Sequence, residues 1–164
     1  MSTDAVNTLT AMAEAPWNYD FFQAMRRIEC EYPERPRLGH SVRLVDDPLR
    51  LGQKPDCGFA PSTLASVIHD STGTPRIEQF FFGLTGPNGP LPIHLTEHAR
   101  ERQRHHGDAT FKRFLDVFNH RLLTLFYRAW AEARPTVAQD RAADDYWSPR
   151  LGAPVSYTHL TLPT

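Results

Sequence analysis

Fourteen prolines divide this chain, and no other feature limits its fold as strongly. A proline ring fixes φ and removes a backbone donor, so neither a helix nor a central strand runs through it easily. Prolines stand at Pro16, Pro33, Pro36, Pro48, Pro55, Pro61, Pro75, Pro87, Pro90 and Pro92, so the elements before residue 93 must be short. None occurs again until Pro135.

Hydrophobic periodicity within that frame predicts an α+β fold. Residues 1–15 are polar and small, and are expected to form a flexible terminus or a frayed helix. An N-terminal helix is expected from Pro16, with Trp17, Phe21, Met25, Ile28 and Tyr32 as one apolar stripe. Arg26, Arg27, Glu29 and Glu31 would face away, and Pro33 would end the element. Short antiparallel strands are expected at 41–45 and 49–51, and a hairpin at about 64–84 closed by the turn residues 70–74. Its second strand would carry Phe80, Phe81 and Phe82, exposing aromatics on both faces; one face could pack on the core and the other must meet a helix or another protein.

Residues 86–92 interrupt all regular structure. A short charged helix is expected from 93 to about 105, ending at Gly107, and Asp108 is a good N-cap for one long apolar helix at about 109–134. Phe111, Phe114, Leu115, Phe118, Leu122, Leu125, Phe126, Ala129, Trp130 and Ala133 cover more than one narrow face of that helix, and Val117 and Leu123 widen the strip. Burying one large apolar side chain is worth about 1.5–3 kcal/mol, so this helix should be central to a domain or to a multi-chain bundle. Phe80, Phe81, Phe82, Phe118, Leu122, Phe126 and Trp130 are therefore candidates for a partner interface.

Apolar residues at 40% can supply a core, and a formal net charge of -1 gives no global field to attract nucleic acid or an anionic membrane. Cys30 and Cys57 are too few for a disulfide framework and have no zinc spacing. Residues 1–14 lack the basic run and apolar block of a signal peptide, and no run is long enough to span a membrane. A cytoplasmic protein without a cofactor is expected.

The sharpest catalytic pattern is His94-Leu-Thr-Glu97-His98. Two histidines four apart share a helix face and could bind zinc, with Glu97 as general base, so the alternative reading is a small zinc-dependent hydrolase. That pattern needs a third ligand, for which Glu101 and Glu132 are the candidates; otherwise it is a charged helix with paired side chains. Gly83, Gly86 and Gly89 hint at a phosphate loop, but the Walker lysine is missing and Pro87 and Pro90 remove donors. A rigid turn is the better reading. Arg100, Arg102, Arg104, His105 and His106 form a basic stretch diluted by Glu97, Glu101 and Asp108. No serine sits in a nucleophile elbow, and Cys57 has no evident base near it.

The last ten residues, 155–164, have no charge and no helical period. They are similar, residue for residue, to a translated transposase-type library adapter, and are expected to be non-native.

The remaining sequence contains a longer signature. Leu51-Gly52 is followed by Phe59-Ala60-Pro61-Ser62, then by Phe82-Gly83-Leu84-Thr85-Gly86-Pro87-Asn88-Gly89-Pro90-Leu91-Pro92. That string continues into His94-Leu95-Thr96-Glu97 and Ala99-Arg100-Glu101-Arg102. Asp116, Phe118, His120-Arg121-Leu122 and the run Leu125 to Trp130 extend the match, as do Phe21-Phe22 and Arg26 to Glu29 upstream. In these motifs the chain resembles the TssG (ImpH/VasB) family of type VI secretion. The resemblance implies the N-terminal half of a longer chain, with residues 16–154 as part of a TssG-like domain. It implies a structural baseplate wedge component that contacts TssF directly and assembles with TssE and the adaptor TssK. It implies no enzyme activity, no cofactor and no zinc role for His94 or Glu97, and a location at the inner-membrane-docked baseplate on the cytoplasmic side.

Overall fold

A computed structural model describes residues 3–69, 73–141, 145–147 and 150 of the chain. Residues 155–164 and part of the expected hairpin turn, 70–72, lie outside the described residues. The elements are α1 (Thr3–Glu14), a 3-10 turn (Pro16–Asn18), α2 (Phe21–Glu31), a second 3-10 turn (Leu44–Asp46), β1 (Arg50–Gln53), β2 (Leu64–His69), β3 (Pro75–Gln79), α3 (Ile93–His106), α4 (Thr110–Glu132) and α5 (Pro135–Gln139). The α+β class follows, with a small three-stranded sheet in the order β1-β3-β2.

Of the flexible terminus and the helix expected for residues 1–15, the structure has a helix over Thr3–Glu14, and Leu9 and Met12 on it are completely buried. Pro16 starts only a 3-10 turn, which leaves Trp17 66% exposed and off the stripe. The helix proper begins after Asp20, whose carboxylate accepts from the Phe22 N–H at 3.0 Å and caps the first turn. Phe21, Ala24, Met25 and Ile28 then form one buried face. Glu29 is also buried, contrary to expectation, because it accepts hydrogen bonds from the Leu38 N–H at 2.9 Å and the Tyr127 hydroxyl at 3.1 Å.

β2 and β3 pair antiparallel as the hairpin reading requires, but β1 runs parallel to β3, with Leu51 opposite Ile77. The strand expected at 41–45 does not form. There the Ser41 hydroxyl donates to the Asp47 carboxylate at 2.6 Å and closes a loop, leaving Val42 fully in solvent. The strand with the phenylalanines also ends early, at Gln79. The Gln79 side chain accepts from the Phe82 N–H at 2.9 Å and donates to its carbonyl, which bends the chain across Phe80 and Phe81.

The long helix sits the opposite way round from a simple core helix. Leu115, Leu123 and Tyr127 point inward, but so do Lys112, Asp116, Asn119, His120 and Thr124. Asp116 and His120 meet the open edge of β1: the Gln53 N–H donates to Asp116 at 3.0 Å and the Leu51 N–H to His120 Nδ1 at 3.0 Å. The spacing explains the fit. Four helical residues rise about 6.0 Å and two strand residues about 6.6 Å, so side chains one helical turn apart can meet alternate N–H groups of a strand. A helix face thereby caps the edge that a further strand would otherwise pair with. Gly52 makes the approach possible, since a Cβ there would lie 2.8 Å from the Asp116 carboxylate.

This orientation separates two neighbouring α4 residues sharply. His120→Ala leaves the Leu51 N–H and the Asp47 carboxylate buried without their partner and should destabilise the fold by about 2–4 kcal/mol. Phe118→Ala, on the outer face, should change stability by no more than about 1 kcal/mol. Urea denaturation of the two variants tests this, and the reverse ranking would mean that α4 is turned the other way.

Candidate functional site

Behind α4 lies a buried polar network in which signature residues such as His120, Asp116 and Thr96 meet side chains from outside the signature. His120 accepts at Nδ1, so its Nε2–H donates to Asp47, 2.9 Å away. Burial alone would raise the Asp47 carboxyl, but hydrogen bonds from His120 and Ser41 outweigh it and hold the group below its ordinary value. Serine, histidine and aspartate are all present here, yet Ser41 donates to Asp47 rather than facing His120. All three are buried, and His120 ties the loop at Asp47 to β1.

One turn before His120, Asp116 lies 3.7 Å from Lys112 and 3.5 Å from Arg76, and a further turn back the buried Lys112 ammonium binds Glu78 on β3. Burial pushes the Asp116 carboxyl up, partly offset by the Lys112 charge and the Gln53 N–H. The glycine-rich string is tied into the same network. The Gln53 side chain accepts from the Thr85 N–H at 2.9 Å and donates to the Thr85 carbonyl at 2.7 Å, while Thr96 Oγ1 accepts from the Gly86 N–H at 2.9 Å. Asn119 accepts from the Leu84 N–H at 3.2 Å. Gly83 has φ +150°, and a Cβ there would meet Gln53 Oε1 at 2.3 Å, so this position has room only for glycine. The string is a rigid turn docked on β1 and α4, and its N–H groups at Leu84, Thr85, Gly86, Gly89 and Leu91 are occupied by the protein itself.

His94, Glu97 and His98 are exposed on α3, with the His98 ring edge-on to Phe111 at 5.9 Å. Glu132 pairs with Arg128 at 2.6 Å. No group of three or more His, Cys, Asp or Glu able to hold a metal occurs among the described residues, so the zinc reading lacks its third ligand there. No helix among the described residues is long and apolar enough to cross a membrane.

The outer side of α4 is the opposite of its inner side. Phe114 (58% exposed), Val117, Phe118 (49%), Leu122 (40%), Leu125 and Phe126 (40%) form a continuous apolar stripe in solvent. Phe114 and Phe118 pack edge-to-face with centroids 5.4 Å apart. At the C-terminal end the stripe runs into an aromatic cluster: Phe82 stacks on Phe126 at 5.1 Å, Phe22 on Trp130 at 4.8 Å, and Phe81 lies 6.3 Å from Phe126. Of the interface candidates, Phe81, Phe82, Phe126 and Trp130 are thus brought together, with Phe118 and Leu122 on the stripe leading to them. Phe82 and Trp130 are half-buried against the core, and Phe80 lies instead beneath the Lys54 ammonium at 5.3 Å. Sequence reasoning did not single out Phe114 and Leu125 as interface residues, although both were visible as part of the apolar strip. It also missed the inward roles of Asp116, Asn119 and His120; their regular spacing against an apolar background was the available signal.

A sequence-family model described as "Type VI secretion, TssG" matches residues 15–160. Its last six residues, 155–160, fall within the run that resembles adapter. Searches of curated proteins and of solved structures yield no match.

The Asp47 geometry sets a pH dependence. The folded carboxyl binds its proton less tightly than the unfolded one, whose value is about 3.9. Its stabilisation is therefore complete above that value and is lost as pH falls through the lower folded value. Denaturation midpoints followed from about pH 6 downward should fall on the acid side, and Asp47→Asn should flatten that limb. An unchanged acid limb in the variant would show that Asp47 is not the group responsible.

Proposed function

The chain belongs to the TssG family, structural baseplate components of type VI secretion, and we propose that it acts as a wedge subunit binding TssF directly. On this reading TssE and TssK join the same wedge, and the protein works on the cytoplasmic side of the inner-membrane-docked baseplate. It has no catalytic role, no cofactor and no nucleic-acid partner, and does not insert into the membrane. The observation that carries the proposal is the apolar outer stripe of α4. A run of large apolar residues in water on a rigid helix marks a surface that another chain covers. Phe81, Phe82, Phe118, Leu122, Phe126 and Trp130 are the proposed contacts, with Phe80 at the margin.

Assembly with TssF predicts that the chain alone tends to aggregate and becomes soluble on co-expression with TssF. Phe118→Asp together with Leu122→Asp should reduce co-purification by roughly tenfold or more without moving the urea midpoint. A monodisperse monomer that captures no TssF would overturn the proposal. Residues 16–154 are proposed as part of the TssG-like domain and 155–164 as adapter-derived. Amplifying the locus from genomic DNA should give a different sequence after residue 154, whereas recovery of 155–164 in the genome would make the tail native.

A further inference from the structure

We propose that the cleft between the loop 54–60 and the glycine-rich turn 83–89 receives an aromatic side chain of the chain that covers α4. This rests on the assembly reading above and names a second point at which TssF is held. The cleft encloses about 170 Å³. A cavity of about 150 Å³ is enough to hold a benzene ring, so one phenylalanine or tyrosine ring matches the space. The lining chooses that ring. Phe59, Phe80 and Phe81 all border the cleft, and rings pack well edge-on or offset against other rings. The turn contributes Gly83, Gly86 and Gly89, which bring backbone without side chains and so leave the space open. A Cβ on Gly86 would stand 3.5 Å from the Asp56 carbonyl of the facing loop. The Lys54 ammonium lies over the Phe80 ring at 5.3 Å and can serve the face of a second ring. Lys54 and Asp56, opposite in charge, both border the cleft. An acid would meet the one carboxylate and a base the one ammonium, so a neutral ring is preferred.

Position selects the source. Phe81 belongs to both surfaces: it borders the cleft, and it lies 6.3 Å from Phe126, where the stripe of α4 meets the aromatic cluster. It is also 37% exposed, so apolar surface continues from the stripe to the cleft. On the rim, Phe59 is 94% exposed. Its loop is nevertheless pinned on both sides. The Asp56 carboxylate accepts from the Gly58 N–H at 3.1 Å, and the Thr63 hydroxyl donates to the Tyr19 carbonyl at 3.1 Å. A large apolar side chain held in water beside a ring-sized cleft, next to a longer apolar stripe, marks a surface that another chain covers. A partner lying along α4 reaches the cleft without leaving apolar surface, whereas a free aromatic molecule gains no such support.

The test has two arms. In the first, the full chain carrying Phe118→Asp and Leu122→Asp, which keeps α4 from masking the result, is titrated with para-cresol, the side chain of tyrosine. The backbone amide NMR signals of Gly83, Gly86 and Gly89 should shift saturably. Butylamine and butyrate, a cation and an anion of similar size, should leave them unmoved. Ala60→Trp, which lets the chain fill its own cleft from an exposed rim position, should abolish the shifts, and Lys54→Met should weaken binding by about two- to fivefold. In the second arm, with α4 intact, Ala60→Trp should lower co-purification of TssF by about tenfold or more. Circular dichroism melts identify a variant that fails to fold; Asn88→Trp, also exposed on the rim, then replaces it. No saturable shift at the glycines, equal shifts in the Ala60→Trp chain, or an equal response to the amine or the carboxylate would overturn the proposal. Full capture of TssF by a folded, cleft-filled chain would also overturn it while leaving the assembly reading intact. Failure of the parent chain to capture TssF would instead sink that reading, and the partner named here with it.

Discussion

The Leu51 and Gln53 N–H groups, on the open edge of β1, find their acceptors in His120 and Asp116 of α4. A buried N–H without a partner costs about as much as a lost hydrogen bond, so the short edge strand needs these side chains wherever water is shut out. Satisfying the edge with a helix commits the α4 face bearing Asp116 and His120 to point inward. Phe114, Phe118 and Leu122, on the other side of the same cylinder, must then point outward. The exposed stripe is thus a geometric consequence of how the sheet edge is closed.

The same commitment explains the crowding of polar residues behind the helix. Lys112, Glu78, Asp116 and Arg76 share a nearly dry space, where removing charges from water offsets much of what their attraction returns. Such a cluster adds more to register than to net stability. It fixes the rotation of α4 about its axis, because a turn of the helix in either direction would leave a buried charge unpaired. Gly52 and Gly83 serve that geometry by leaving room where Asp116 and Gln53 need it.

Membership of a structural baseplate family agrees with this division of labour. Several residues of the signature by which the chain resembles that family, Gly52, Thr85, Gly86, Thr96, Asp116 and His120, lie in the sealed network and hold the rigid turn, β1 and α4 together, while others, Phe118 and Leu122 among them, lie on the outer stripe. Their chemistry is spent on placing a surface. The histidines with the catalytic-looking spacing, His94 and His98, stand outside that network in solvent.

The chain's sequence determined the elements and their punctuation. Prolines kept the first half short, a proline-free run allowed the long helix, and turn residues separated β2 from β3, all through local restrictions on φ, ψ and backbone donors. It also carried the family signature and the excess of apolar surface. Only the tertiary structure decided the facing. Periodicity identifies a stripe but cannot assign it to core or solvent when the opposite face is wanted by unpaired N–H groups distant in sequence. Glu29 was judged exposed for the same reason, since its partners Leu38 and Tyr127 come from other elements. The Phe80–Phe82 strand ended early because the Gln79 amide competed for the backbone of Phe82. Each of these outcomes was set by a hydrogen bond between groups brought together by the fold, and hydropathy carries no record of such bonds.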